Sequence, residues 1–173
     1  SDDYLVDIQD AGFALLASND FLQYEISAFS KNNQQAKHNL NYWQFGDYLG
    51  VGAGAHGKVT DIKNRQIIRR QKTRLSDHYL ASATPQNGCA PKTKQHVVAT
   101  DELSVEFMMN ALRLNQGFTQ QLFEQRTGLD FSQVKNTISQ LQAQGLMETS
   151  DKFYHTSQKG RLFLNNVIAK FSE

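Results

Sequence analysis

The chain reads as an α+β protein whose carboxy-terminal half is mostly helical and winged-helix-like. Three observations predict this: short aromatic and β-branched runs broken by glycines before residue 84, helical apolar stripes beyond residue 98, and a small hairpin between the last two helices. At 173 residues and 39% hydrophobic, the chain can bury one core or two small ones.

Asp2 and Asp3 suit the positive end of a helix, and Leu5, Ile8, Gly12, Leu15 and Leu16 follow at roughly helical spacing, which predicts a first helix. Phe21 to Phe29 is aromatic and β-branched enough for one strand. Lys31 to Lys37 has no apolar period and reads as a loop. Tyr48 to Val51 and Val59 to Ile62 are expected to pair as short strands around the glycines, and Ile67 and Ile68 mark another. Leu75 to Ala83 gives one or two helical turns, after which Pro85-Gln86-Asn87-Gly88 and Pro91 signal turns. These place a first unit at 1–84, a linker at 85–98 and a second unit at 99–173.

In the second unit, Leu103, Phe107, Ala111 and Leu114 predict a helix capped by Thr100 or Asp101. Leu122 and Phe123 mark a shorter helix that Gly128 ends. Asp130 and Gln133 resemble a capping box ahead of the stripe Phe131, Val134, Ile138 and Leu141, which Gly145 stops. Leu146 to Thr149 and Phe153 to His155 form a hairpin around Ser150 and Asp151. One last helix is expected from Ser157 to Phe171, with Leu164, Val167, Ile168 and Phe171 inward. That order is winged-helix-like.

Composition excludes several functions. Eighteen Lys and Arg against 17 Asp and Glu give a formal charge of +1, which offers no general attraction to nucleic acid or acidic membranes. No apolar run spans a bilayer and no signal-peptide pattern begins the chain. The single cysteine, Cys89, permits no internal disulfide and fits a reducing cytoplasm. No Ser-His-Asp arrangement or P-loop is evident, and Gly50, Gly52 and Gly54 lack the long following helix of a dinucleotide fingerprint.

The chemistry concentrates between residues 38 and 57. His38-Asn39-Leu40-Asn41-Tyr42-Trp43, followed by Gly46 to Gly57, combines a histidine, amides, aromatic faces and bare backbone, which suits a flat ligand. Four segments, Tyr24 to Phe29, His38 to Trp43, Gly46 to His56 and Glu106 to Leu114, occur in an order that resembles the carboxy-terminal part of the radical-SAM proteins related to oxygen-independent coproporphyrinogen III oxidase. Within them the match is to the branch described as haem chaperones (HemW type). It covers about Asp2 to Phe171.

The resemblance implies a fold, cofactors and partners. Residues 1–84 become a fragment of the closing region of a radical-SAM, partial TIM-like barrel, with 99–173 as its carboxy-terminal domain. The parent protein is expected to hold an iron–sulfur cluster and S-adenosylmethionine in a missing amino-terminal barrel, because Cys89 alone cannot supply the cluster's thiolates. The fragment itself is therefore expected to be no enzyme. Haem or a porphyrinogen is the implied ligand, and haem-accepting proteins, with membrane proteins among them in transient contact, are the implied partners.

Two readings stand at each site. The resemblance assigns His38, Asn39, Tyr42 and Trp43 to haem binding, against a reading in which His38 and Asn39 bond loop backbone and the two aromatics are core. Leu40, Asn41, Gly52, Gly54 and Ala55 are assigned to the cofactor side, against simple turning of the chain. His56 is a second metal ligand or a partner of Asp47. Gly57 stands where the family pattern has a serine. Glu25 holds a ligand amine, pairs with Arg65 or Arg69, or simply faces solvent, and Glu106 and Arg113 are expected in interhelical pairs. The activity implied is haem delivery, with oxidative decarboxylation of coproporphyrinogen III as the alternative and a DNA-binding module as the third.

Overall fold

The computed structural model describes residues 2–83 and 93–172 as a mixed α/β structure. The elements run α1 (Asp2–Ser18), β1 (Leu22–Glu25), β2 (Ala28–Ser30), α2 (Lys37–Trp43), β3 (His56–Asp61), β4 (Gln66–Lys72), α3 (Ser76–Ala83) and β5 (Thr93–Val97). There follow α4 (Leu103–Ala111), β6 (Phe118–Thr119), α5 (Gln120–Thr127), α6 (Ser132–Ala143), β7 (Met147–Ser150), β8 (Phe153–Thr156), α7 (Gln158–Leu162) and α8 (Leu164–Ala169). Strands pair antiparallel throughout, as the hairpin β1-β2 and the three-stranded sheets β3-β4-β5 and β6-β8-β7.

One apolar cluster runs from the second sheet into the helices. Phe107 on α4 is fully buried, and its ring meets Phe45, Phe118 and Phe123 edge-on at 5.9, 5.1 and 5.2 Å. Edge-to-face rings add favourable quadrupole contact to the burial of large apolar area. Val134, Ile138 and Leu141 of α6 bury one helical stripe into the same cluster, and Ile67 and Val98 join it from β4 and the end of β5. That junction matters for the site, because side chains alternate along a strand. The face of β4 that buries Ile67 goes on to present Arg69 and Gln71, and the face that buries Val98 presents His96 and Lys94.

Helix ends follow local chemistry. Thr119 Oγ1 accepts the Leu122 N–H at 3.1 Å to start α5, and Gly128 at φ +74° ends it. Ser157 Oγ does the same for the Gly160 N–H at 2.9 Å ahead of α7. Among the described residues no helix is long and apolar enough to cross a membrane.

Several expectations are corrected. The single strand over Phe21–Phe29 is a hairpin, because the chain turns at Ile26 and Ser27, where Ser27 Oγ donates to Glu25 Oε1 at 3.0 Å. Tyr48–Val51 is no paired strand: Tyr48 alone bridges to Lys58, while β3 starts at His56 and takes β4 as its partner. The Ile67–Ile68 strand extends over seven residues. Residues 93–97 of the expected linker form β5 on the edge of β4, and the expected turns at Pro85-Gln86-Asn87-Gly88 and Pro91, with Cys89, lie outside the described residues. Helix α4 begins after Glu102 without a side-chain cap from Thr100 or Asp101, and Leu114 lies past its end in a bridge to Glu25. Asp130 Oδ1 accepts the Ser132 N–H at 2.8 Å, but α6 starts after Phe131 without a side-chain cap, so the expected capping box does not form. The last helix breaks at Phe163 into α7 and α8.

Candidate functional site

The His38 to Trp43 motif forms α2, a helix of seven residues that packs against α4. Helical spacing distributes the motif over several surfaces. His38 is exposed on the first turn, one turn before Tyr42. Asn39 Nδ2 donates to the Tyr24 hydroxyl at 3.3 Å, and Leu40 faces a separate 690 Å³ cavity shared with β1 and Leu114. Asn41 is a loop organiser: its Nδ2 donates to the Asp47 carbonyl at 2.9 Å and its own carbonyl accepts the Gly46 N–H at 2.7 Å.

Tyr42 and Trp43 line a 590 Å³ cavity between α2, α4 and the sheet face that carries Arg69, Gln71, Lys94 and His96. Their rings stand 4.8 Å apart and nearly perpendicular, with Tyr48 5.0 Å from Tyr42 on the other side. The Arg113 guanidinium lies 4.5 Å from the Trp43 ring centroid, a cation–π contact. Arg69 donates from Nε to Glu106 at 3.1 Å, also binds that carboxylate through Nη2, and donates from Nη1 to the Tyr48 hydroxyl at 3.2 Å. Burial pushes the Tyr48 hydroxyl above its ordinary pKa, and the Tyr42 neighbour adds to this against the opposing Arg69 charge.

The glycine run does two jobs. Gly52, at φ +106°, donates its N–H to the Tyr79 hydroxyl at 3.2 Å, and Gly54, at φ +72°, donates to the Thr73 carbonyl at 2.7 Å. Those φ values are where glycine alone is unstrained. Ala55 accepts the Lys72 N–H at 2.9 Å and, with His56, borders a 540 Å³ cavity on the outer side of the sheet. The structure therefore brings Tyr42, Trp43 and His56 to one cavity, and leaves His38, Asn39, Leu40, Asn41, Gly52, Gly54 and Ala55 off its lining.

The expected ion pairs are rearranged. Asp47 pairs with Lys58 rather than His56, Glu106 with Arg69, and Glu25 with neither Arg65 nor Arg69. Lys58 is the polar residue that sequence patterning passes over, and Arg113 lies against Trp43 rather than in the expected ion pair. Alternation along β3 sets Lys58 on the face opposite Val59, where it alone is buried between exposed His56 and half-buried Thr60, so the sequence pattern carries no signal of its burial. Among the described residues no group of three His, Cys, Asp or Glu side chains is placed to hold a metal ion.

Residues 98–163 match the family described as the HemN C-terminal domain. The chain is 41% identical over 171 residues to the heme chaperone HemW of Haemophilus influenzae, and 37% over 170 residues to that of Escherichia coli, each alignment covering 98% of the chain. It covers 42% and 43% of those relatives, so it spans about two-fifths of their length. In structure it is similar to the coproporphyrinogen III oxidase HemN of Escherichia coli, a radical SAM enzyme, with a TM-score of 0.63 at 17% identity, over 96% of this chain and 40% of that one. Over nearly its whole length the chain therefore resembles the carboxy-terminal part of HemW-type haem chaperones, relatives of the radical-SAM coproporphyrinogen III oxidase HemN.

Proposed function

We propose that this chain is the carboxy-terminal part of a haem chaperone, which binds haem and passes it to acceptor proteins, membrane proteins among them, in the cytoplasm. The observation that carries the reading is the likeness to HemW chaperones over nearly every residue of the chain. The cavity beside Trp43 supports it, since its volume is in the range of small-molecule sites and its lining joins aromatic rings to basic groups.

The roles divide along the chain. Residues 1–84 close the barrel of the larger protein, and 99–173 form a winged-helix-like module in which α5, α6 and the β7–β8 hairpin supply the helix, helix and wing. The family match starting at residue 98 agrees with that division. With one cysteine in 173 residues, the chain does not fit an iron–sulfur cluster, so cluster and S-adenosylmethionine fall to the portion of the relatives that this chain does not span. When bound, that pair supplies radical chemistry, and no step of it is assigned to residues here. Residues Leu40, Asn41, Gly52, Gly54 and Ala55 shape the loop toward that portion. His38, exposed and one turn from Tyr42, is the accessible imidazole for haem iron, with Asn39 fixing the helix to Tyr24.

Haem titration followed by absorbance tests this in the wild type and in His38→Ala and His56→Ala. The expected result is a changed Soret band and weaker binding for His38→Ala, with a smaller loss for His56→Ala. An unchanged spectrum and affinity in His38→Ala makes the motif structural. The second reading, a decarboxylating oxidase, draws on the likeness to HemN and requires release of carbon dioxide from coproporphyrinogen III.

A further inference from the structure

Two side chains that line the cavity beside α2 carry donors that the fold leaves without acceptors. Trp43 Nε1 and Arg113 Nε are both buried with no hydrogen-bond partner. Both residues line the same cavity, and they touch, with the guanidinium 4.5 Å from the indole centroid. Neither side chain has any acceptor capacity, so whatever completes them must accept. Buried donors are nearly always matched, which makes two adjacent orphans informative.

Charge narrows the class of acceptor. The cavity is lined by Arg69, Arg70, Lys94 and Arg113 against one carboxylate, Glu106, and that carboxylate is already held by Arg69. The surplus is cationic. A guanidinium held over an indole ring by a cation–π contact keeps N–H donors that suit a planar anion.

We propose that Trp43 and Arg113 together seat a carboxylate of a flat ligand, one oxygen accepting from Trp43 Nε1 and the other from Arg113 Nε, with Lys94 and Arg70 attracting it to the cavity. This rests on the haem reading above: a porphyrin carries carboxylate side chains on a flat ring, and the pair named here holds one of them. Tyr42 and Tyr48 border the ring. The seat thus fixes the ligand by its edge, independently of whether His38 reaches the iron.

Protoporphyrin IX and its dimethyl ester distinguish the two claims, since both lack iron and only the acid carries carboxylates. Each is titrated into the wild-type chain by quenching of Trp43, its only tryptophan, and into Arg113→Gln, Arg113→Lys and Trp43→Phe by porphyrin absorbance. The acid is expected to bind about tenfold tighter than the ester, as charge-assisted hydrogen bonds warrant. Arg113→Gln should bring the acid to the ester's affinity, Arg113→Lys should keep part of the preference, and Trp43→Phe should weaken the acid alone. Affinity for the ester controls for the integrity of the cavity in every variant. Equal binding of acid and ester by the wild type overturns the seat and leaves porphyrin binding standing. So does a full acid preference in both Arg113→Gln and Trp43→Phe, whereas failure of both porphyrins to bind overturns the seat and the haem reading together.

Discussion

Lys58 Nζ lies 2.8 Å from Asp47 Oδ1 although the lysine side chain is only 1% exposed, and it sits 4.4 Å from the Phe45 ring centroid. A cation so deeply placed is tolerated only with a partner. Asp47 provides it from a half-exposed position, and also accepts from the Thr60 N–H and hydroxyl at 2.8 Å each. Burial pushes the Asp47 carboxyl up, but the hydrogen bonds from Lys58 and Thr60 and the Lys58 charge together hold it below its ordinary value. Burial pushes Lys58 down, against the opposing pull of Asp47.

The first prediction follows from removing one partner at a time. Asp47→Asn leaves the buried ammonium without its counter-charge and should cost roughly 2 kcal/mol, less than a fully enclosed pair because water reaches Asp47. Lys58→Met, which removes the charge and keeps the packing, should cost less than about 1 kcal/mol. Because the folded pKa of Asp47 lies below the unfolded value of about 3.9, its stabilisation is full above that value and is lost as pH falls through the folded one. Urea midpoints between about pH 2 and 7 should therefore drop on the acid side in the wild type and less steeply in Asp47→Asn. Parallel curves for the two proteins refute the linkage.

Phe107 carries the second prediction. It is fully buried where rings from α5, β6 and the loop after α2 converge, so Phe107→Ala opens a cavity that no single neighbour can fill. A loss of about 3–5 kcal/mol in denaturant unfolding is expected. A loss under about 1 kcal/mol means that the cluster is not the core joining sheet and helices.

Much of this was legible in the sequence. The helical stripes of α4 and α6 read directly because each buries one face against a single core, and Gly128 and Gly145 stop α5 and α6 through positive φ. The hairpin at Ile26 and Ser27 was hidden because its turn lacks glycine, proline or asparagine, the usual markers. The motif at residues 38–43 announced itself by composition. Its division among three surfaces did not, since that depends on α2 being a short helix against α4 rather than on local pattern. Arg113 looked like one half of an interhelical ion pair, and only the tertiary contact of α2 with α4 sets it over Trp43.

Two glycines give opposite expectations for one substitution. A Cβ on Gly160 meets the Leu146 carbonyl oxygen at 1.8 Å, where α7 crosses the start of the β7–β8 hairpin. Gly160→Ala must push backbone away from backbone and should lower the melting temperature by several degrees, as overpacking of about 1–3 kcal/mol does in a domain of this size. Gly12 lies inside α1 with open space where a Cβ would stand, so Gly12→Ala should raise helix stability by about 0.5–1 kcal/mol. Thermal unfolding followed by circular dichroism reads both. Equal effects of the same sign contradict the close approach at Gly160.

The last prediction concerns nucleic acid, because α5, α6 and the β7–β8 hairpin have the order of a duplex-reading unit. Helix α6 buries Val134, Ile138 and Leu141 and exposes Ser132, Gln133, Lys135, Asn136, Ser139 and Gln140. Only Lys135 among these is cationic, whereas affinity for duplex DNA comes mainly from several Lys or Arg neutralising phosphates. The amides can read adenine edges, but without phosphate contacts nothing holds the helix in the groove. Mobility shifts at physiological salt should show dissociation constants weaker than about 10 µM with no preference between sequences. Nanomolar, sequence-selective binding would instead make the module a DNA reader and favour the DNA-binding reading over haem delivery.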